Sequence, residues 1–496
     1  MINRVVVLGG GTAGWMTAAA LAKSLSGGPV SITLVESEAI GTVGVGEATI
    51  PPIMIYNNAL GISEAEFVRA TKATFKLGIE FANWKRKGVS YFHPFGMIGS
   101  DMDGISFMHY WLRWRKNGGA ADFLNFNAEA CAAREKKFAW VEEEPGPKML
   151  PDVNYAYHFD AGLYAKFLRE FAEARGVQRI EGAVCDVAQN PDSGDITSLT
   201  LEGGRRIEGD LFIDCSGFRG LLIEKTYNAG YEDWSHWLPV DSAVAVPSAS
   251  SGELLPYTRS IAHEAGWQWR IPLQHRVGNG YVYCSKYITD DMARSVLLNN
   301  LDGEALAEPR YLRFKTGVRK KSWVNNCIAV GLSAGFLEPL ESTSIHLIQR
   351  AIHKILAMFP RRTIQPCLVE RFNQEMYQEY DEVKDFLIAH YAITERDDSP
   401  FWQYVRNMAV PDSLRQKLEV FKERGEVLIN KHDMFRETSW FSVLMGQGVE
   451  PEGYHPVADT ISDEQLRMRM THIRHAVEKR VSMLPKHGDF VKKHYM

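Results

Sequence analysis

The sequence predicts an α/β fold: a parallel sheet wound on both faces by helices, interrupted by an inserted β-sheet and followed by a mainly helical C-terminal part. Three observations predict it. Arg4-Val5-Val6-Val7-Leu8 is an unbroken apolar run, as a strand covered on both faces requires. Strand-like runs that end in glycine or in a small polar turn recur at 210–217 and 326–331. From about residue 342 apolar residues recur near every 3.6 positions, at Ile345, Ile348, Ile352, Leu356 and Phe359.

Taken in order, the first strand runs into Gly9-Gly10-Gly11-Thr12-Ala13-Gly14, and then into a helix that opens Trp15-Met16-Thr17-Ala18. Gly9, Gly11 and Gly14 have the spacing that lets a backbone turn tightly, approach a pyrophosphate and seat a helix on a sheet. The helix N-terminus favours the phosphate charge. Residues 31–35 form the second strand, and Glu36 at its end suits the ribose hydroxyls of a dinucleotide. The motif alone does not separate FAD from NAD. The glycine-rich strap Gly44-Val45-Gly46-Glu47-Ala48-Thr49-Ile50-Pro51 lies too far along to meet the adenine end, and its place suits a flavin ring.

An amphipathic helix is expected over 160–175 with Gly176 as its stop, then strands at 180–187 and 196–201 of a small sheet. Residues 230–320, rich in Tyr and Trp, read as a second sheet. Ser462-Asp463-Glu464-Gln465 is a capping box before a helix carrying Leu466, Met470, Ile473 and Val477.

Bulk properties exclude several classes. The net charge of −5 carries no basic field for nucleic acid. The six cysteines form no C-x-x-C pair, so free thiols in a reducing cytoplasm are expected. No signal peptide and no membrane-length apolar run is visible. His472 and His475 lack the carboxylates of a metal site, and no metal is expected.

The chain resembles the flavin-dependent tryptophan halogenases over nearly its whole length. The resemblance rests on the glycine motif, on Gly44-Val45-Gly46-Glu47-Ala48-Thr49, Phe75-Lys76-Leu77-Gly78 and His93-Pro94-Phe95-Gly96, and on Asp214-Cys215-Ser216-Gly217-Phe218-Arg219-Gly220, Trp267-x-Trp269-x-Ile271-Pro272 and Pro339-Leu340-Glu341-Ser342-Thr343. It implies a Rossmann-like FAD-binding module of the glutathione-reductase and monooxygenase type over about 1–350, with substrate-side insertions near 80–150 and 230–320, and a helical subdomain over 351–496. It implies that reduced FAD and O₂ oxidise chloride or bromide to hypohalous acid, which is spent on an aromatic held elsewhere. A separate flavin reductase supplies the reduced flavin. The oligomeric state stays open, with a homodimer among the options.

By the same resemblance, Gly9, Gly11, Thr12, Ala13, Gly14, Glu36, Gly46, Glu47, Ala48 and Leu332 hold FAD. Trp267 and Trp269 form a wall that keeps substrate from the flavin, while His93, Pro94 and Phe95 hold the aromatic ring. Lys76 is the essential lysine, acting either as an ammonium that polarises hypohalous acid or as an amine that becomes a haloamine. Glu341, supported by Ser342, takes the proton from the cationic ring. Thr343 and Ser344, in a first helical turn, offer N–H groups to halide.

Each residue also has a plainer reading. The tryptophans suit a core, Glu341 a helix start, and His93 a turn before proline. Two departures matter for substrate. No Tyr-Tyr pair of the kind that clamps a free amino acid occurs near Asn430-Lys431-His432-Asp433-Met434-Phe435, and Glu-Ser-Thr is followed by Ser344 where the family commonly has glycine. An indole or another electron-rich aromatic is therefore expected in preference to free tryptophan. The rival readings are a flavin-dependent aromatic hydroxylase and a flavin carrier without turnover.

Overall fold

Arg4–Leu8 lies in the middle of a sheet with the strand order Trp323–Val324, Cys327–Ala329, Leu211–Asp214, Arg4–Leu8, Ser31–Glu36, Gln178–Glu181. All but Trp323–Val324 run parallel, which is why Val5, Val6 and Val7 are apolar on both faces. The computed structural model describes residues 2–40, 46–140, 152–430 and 433–496. Gly44, Val45, Lys431 and His432 lie outside them. The chain divides into two units, each built from separate stretches. Met1–Ala73, Phe159–Asp241 and Leu312–Asp381 make the first; Thr74–His158, Ser242–Tyr311 and Glu382–Met496 make the second.

In the first unit, helix Thr12–Ser24 follows the first strand and is buried from Gly14 to Ala22. Its alanines let helices Ala161–Glu173 and Ser344–Ala357 pack closely on it. Asp160 caps the former through bonds from the N–H groups of Gly162 and Leu163, and Gly176 (φ +89°) ends it, as the sequence leads one to expect. The strand expected at 180–187 is instead two. Gln178–Glu181 joins the parallel sheet, and Val184–Gln189 belongs to an antiparallel sheet with Ile196–Leu201 and Arg206–Glu208. Gly182, at φ +153°, makes the break, since a Cβ there would press on Leu201 at 2.9 Å.

Asp214 closes the strand Leu211–Asp214 and has no solvent exposure. Its carboxylate accepts from three backbone N–H groups: Ser216 at 2.9 Å, and Leu222 and Ile223 at 2.8 Å each. That explains the acid in Asp214-Cys215-Ser216-Gly217: it ties the turn to the segment after it.

In the second unit, Ser242–Ser248, Val277–Tyr283, Gly266–Pro272, Thr258–Ala262, Gly78–Ala82 and Ser90–Pro94 are successive neighbours in one sheet. Thr258–Ala262 and Gly78–Ala82 pair parallel, and the other joins are antiparallel. Among the described residues no strand follows Phe336. Helix Glu437–Gly446 lies on Ser90–Pro94. The capping box forms as the sequence predicts: Ser462 and Gln465 exchange bonds, and Leu466, Met470, Ile473 and Val477 are buried. The helix expected from 342 begins at Ser344, because Pro339–Glu341 form a tight 3₁₀ turn and Ser342 is left-handed at φ +60°. Among the described residues no helix is long and apolar enough to cross a membrane.

Replacing Asp214 with Ala should destabilise the protein by about 3–5 kcal/mol, because two buried N–H groups and a partly buried one lose their acceptor. Urea denaturation measures this, and Asp214→Asn, which keeps one acceptor oxygen, should lose less.

Candidate active site

The glycine turn in the first unit forms a close-packed cradle that has no room for side chains. Gly9 has φ +116°, and a Cβ there would lie 2.2 Å from the Cys215 carbonyl oxygen. A Cβ on Gly14 would lie 1.8 Å from the Gly9 oxygen, and one on Gly10 would strike the Glu36 carboxylate. Gly11 is the N-cap of the helix that contains Thr12 and Ala13, and no side chain caps it. No side-chain cap therefore occupies the first-turn N–H groups, an arrangement suited to an anionic ligand. Glu36 accepts from Arg179 Nε, and Arg179 also reaches Glu38 and Glu181 at 2.8 and 2.9 Å. Leu332 sits in the turn Gly331–Ser333, and a Cβ on Gly331 (φ +72°) would press on Ala13 at 2.8 Å. Gly46–Ala48 is a short strand, in which desolvation pushes the Glu47 carboxyl up to about 7.

Also in the first unit, Glu341 is buried at the end of its 3₁₀ turn, followed by left-handed Ser342. Thr343 is the N-cap of helix Ser344–Ala357, but its side chain does not cap it. The Thr343 hydroxyl is buried and has no hydrogen-bond partner among the described residues. A buried hydroxyl at a helix start with free N–H groups is suited to a small anion.

Lys76 belongs to the second unit and lies on strand Thr74–Lys76 with no solvent exposure. Its Nζ stands 5.2 Å from the centroid of the Phe95 ring. Phe95 is brought there by its N–H, which donates to the Leu77 carbonyl at 2.8 Å. Across the ladder Lys76 faces Ala156, and Thr74 faces His158. The Thr74 hydroxyl donates to the Pro272 carbonyl at 2.6 Å, so at 3.1 Å it accepts from His158 Nδ1. His158 Nε2 is then the acceptor for the Thr258 hydroxyl at 2.9 Å. On the other face, His487 Nε2 accepts the Phe75 N–H at 3.2 Å and its Nδ1 donates to the Leu254 carbonyl at 3.1 Å. Burial holds both imidazoles neutral: His487 is lowered to about 4, and His158, which also feels Lys76 and His487, lies well below the usual range.

His93 and Pro94 end strand Ser90–Pro94. The His93 ring packs edge-on against Phe386, with centroids 5.7 Å apart, and lies 6.3 Å from Phe435. Gly78 allows this, since a Cβ there would sit 2.4 Å from the His93 carbonyl oxygen. Trp267 and Trp269 project from one face of strand Gly266–Pro272, with centroids 6.3 Å apart. Trp267 also meets Trp84 at 6.3 Å. Trp269 faces Gly280 across the ladder, and a Cβ there would lie 2.1 Å from the indole. Trp269 Nε1 is buried with no partner among the described residues. Gln268 and Arg270 point the other way and hold the Asn300 carbonyl.

The family model for tryptophan halogenase matches residues 4–463. The chain belongs to the tryptophan halogenase family. It is 40% identical to tryptophan 6-halogenase ThaL of Streptomyces albogriseolus, over 92% of this chain and 91% of that one. It superposes on Xcc4156, a flavin-dependent halogenase from Xanthomonas campestris, with TM-score 0.96 and 49% identity, covering 100% of this chain and 98% of that one. BrvH, a flavin-dependent halogenase from Brevundimonas sp. BAL3, matches with TM-score 0.96 and 42% identity over the full length of both. Membership of this halogenase family implies FAD and a halide, and the glycine cradle and the uncapped helix start fit a dinucleotide.

In this halogenase the second unit gathers Lys76, His93, Pro94, Phe95, Trp267 and Trp269 on one sheet and its leading strand, while Glu341, Ser342, Thr343, Ser344 and the glycine cradle belong to the first unit. Sequence reading passed over Thr74, His158, Thr258 and His487. The alternation Tyr155-Ala156-Tyr157-His158-Phe159 was a usable strand signal.

The neutral imidazoles give a pH dependence with a definite sign. Below the ordinary histidine value of 6.5 the unfolded chain takes up protons that folded His487 refuses until about 4. Its contribution is therefore present above pH 6.5 and is lost as pH falls towards 4. His487 alone should remove about 2 kcal/mol between pH 7 and pH 5. Urea midpoints at the two pH values measure this, and the drop should be smaller in His487→Gln.

Proposed function

We propose that this chain is the halogenating component of a two-component flavin system: it takes reduced FAD from a separate reductase, consumes O₂ and chloride or bromide, and halogenates an electron-rich aromatic of the indole class. The observation that carries the reading is the Lys76 amine, wholly buried and facing Phe95, in a chain that matches the tryptophan halogenase family over residues 4–463.

When bound, reduced FAD with O₂ supplies the two-electron oxidant that turns halide into hypohalous acid. The rest falls to side chains. Lys76, as an ammonium, hydrogen-bonds the oxygen of hypohalous acid and gives it a proton as the oxygen–halogen bond breaks, so that the oxygen leaves as water while the halogen joins the ring carbon. Phe95, His93 and Pro94 supply flat surfaces for the ring. Glu341 stabilises the cationic ring and takes its proton, which restores aromaticity. The buried Trp267 and Trp269 wall supports halogenation over direct hydroxylation.

Two features favour an indole without a carboxylate over free tryptophan. Xcc4156 and BrvH, both flavin-dependent halogenases, share 49% and 42% identity with this chain, against 40% for the tryptophan 6-halogenase ThaL. In the segment after Leu428, which has no Tyr-Tyr pair, Asp433 is itself a buried acid, held by Lys417 at 3.1 Å and by the Asn430 N–H at 3.0 Å. A second carboxylate beside it would be repelled.

The test supplies a flavin reductase, FAD, and bromide or chloride, with indole, tryptamine, tryptophan and carrier-tethered indoles, and weighs the products. Halogenated indole is the expected result; an oxygenated product formed without halide would favour the hydroxylase. Lys76→Ala should abolish halogenation while FAD still binds. Glu341→Gln should cost about 10²–10⁴ in kcat.

A further inference from the structure

Phe95 must keep its ring towards the Lys76 amine, and the turn that carries it is held from three sides. Its N–H is bonded to Leu77. Gly96, at φ +80°, lies against the Glu129 carboxyl, and a Cβ there would come within 2.4 Å of it. The carbonyls on either side of Gly96, those of Phe95 and Met97, both accept from Asn127 Nδ2, each at 3.1 Å. Asn127 has no solvent exposure. Its Oδ1 accepts the Ala130 N–H at 2.6 Å and so caps helix Ala128–Arg134. The cap fixes the orientation of the amide: with the oxygen on an N–H, both amide hydrogens face the two carbonyls.

We propose that Asn127 is a positioning residue for halogenation, which fixes the Phe95 ring over Lys76 by bracketing Gly96 with its two N–H bonds. The inference rests on the reading of Lys76 and Phe95 as substrate-side residues. Any good N-cap residue would serve the helix alone, so Ser or Asp would do as well. Only an amide caps the helix and donates twice to carbonyls at once. Without the bracket the Phe95 turn keeps one bond at its start and none beyond Gly96 from this side chain. The ring then loses its set direction, indole binds in more than one pose, and the halogen reaches more than one carbon.

The experiment compares the FAD-loaded wild type with Asn127→Ser and Asn127→Asp, both of which keep a cap, and with Phe95→Leu as the reference for a lost ring. Bromination of indole with a flavin reductase gives KM, kcat and the isomer ratio. Calorimetry reads indole binding separately, and a melting curve reads the fold. Both Asn127 variants should melt as folded proteins, raise KM about tenfold with a smaller change in kcat, weaken indole binding, and widen the isomer distribution in the same direction as Phe95→Leu. Wild-type binding and isomer ratio in these variants would overturn the proposal. So would loss of the folded state, since that would make Asn127 a residue of folding alone. A wild type that binds indole but brominates nothing would sink the functional reading, while the binding comparison would still decide the role of Asn127.

Discussion

Taking a lysine amine out of water is the cost around which the second unit is arranged. An isolated ammonium in a protein interior is penalised by several kcal/mol. Here the surroundings lower that penalty without adding a second positive charge. The Phe95 ring offers its negative face. His158 and His487 each spend one ring nitrogen as an acceptor, so neither is an imidazolium. Ala156, the smallest side chain with a Cβ, stands opposite Lys76 and leaves room for it. Behind the strand, Phe75 is packed by Phe138, Tyr157 and Phe490, which excludes water from that side. Hydrogen bonds from such an amine are strong because no solvent competes for them.

The first unit solves a different problem with different means. Its ligand-facing surface is made of backbone. Glycines bring peptide groups close, an uncapped helix presents N–H groups, and Asp214 gathers three more to hold the neighbouring turn. At the far end of the cradle Glu36 and Arg179 are joined side chain to side chain. The cradle is thus a surface of backbone donors, whereas the donor beside Phe95 is carried on a single flexible stem.

Much of this was legible in the sequence where function and local structure coincide. Val5 to Val7 announce a buried strand because their neighbours on both faces are apolar. Gly9 and Gly14 announce a close approach because a Cβ at either would strike a backbone carbonyl. The capping box at Ser462 is a contact between residues three apart. What stayed hidden depends on distant partners. His158 and Asn127 look like ordinary polar residues until Thr258 and the Phe95 turn are placed beside them. The break at Gly182 and the left-handed Ser342 each shifted an expected element, since apolar spacing reports which face is buried and not where a ladder changes partner.

The chain passes from one unit to the other after Ala73, His158, Asp241, Tyr311 and Asp381, so neither unit is a continuous piece. The first unit ends at Asp381, and the rest of the chain, to Met496, belongs to the second. The strand that carries Lys76 has to wait for His487, made more than four hundred residues later, to occupy the Phe75 N–H. A chain clipped before His487 therefore leaves the N–H of Phe75, the neighbour of Lys76, without this acceptor.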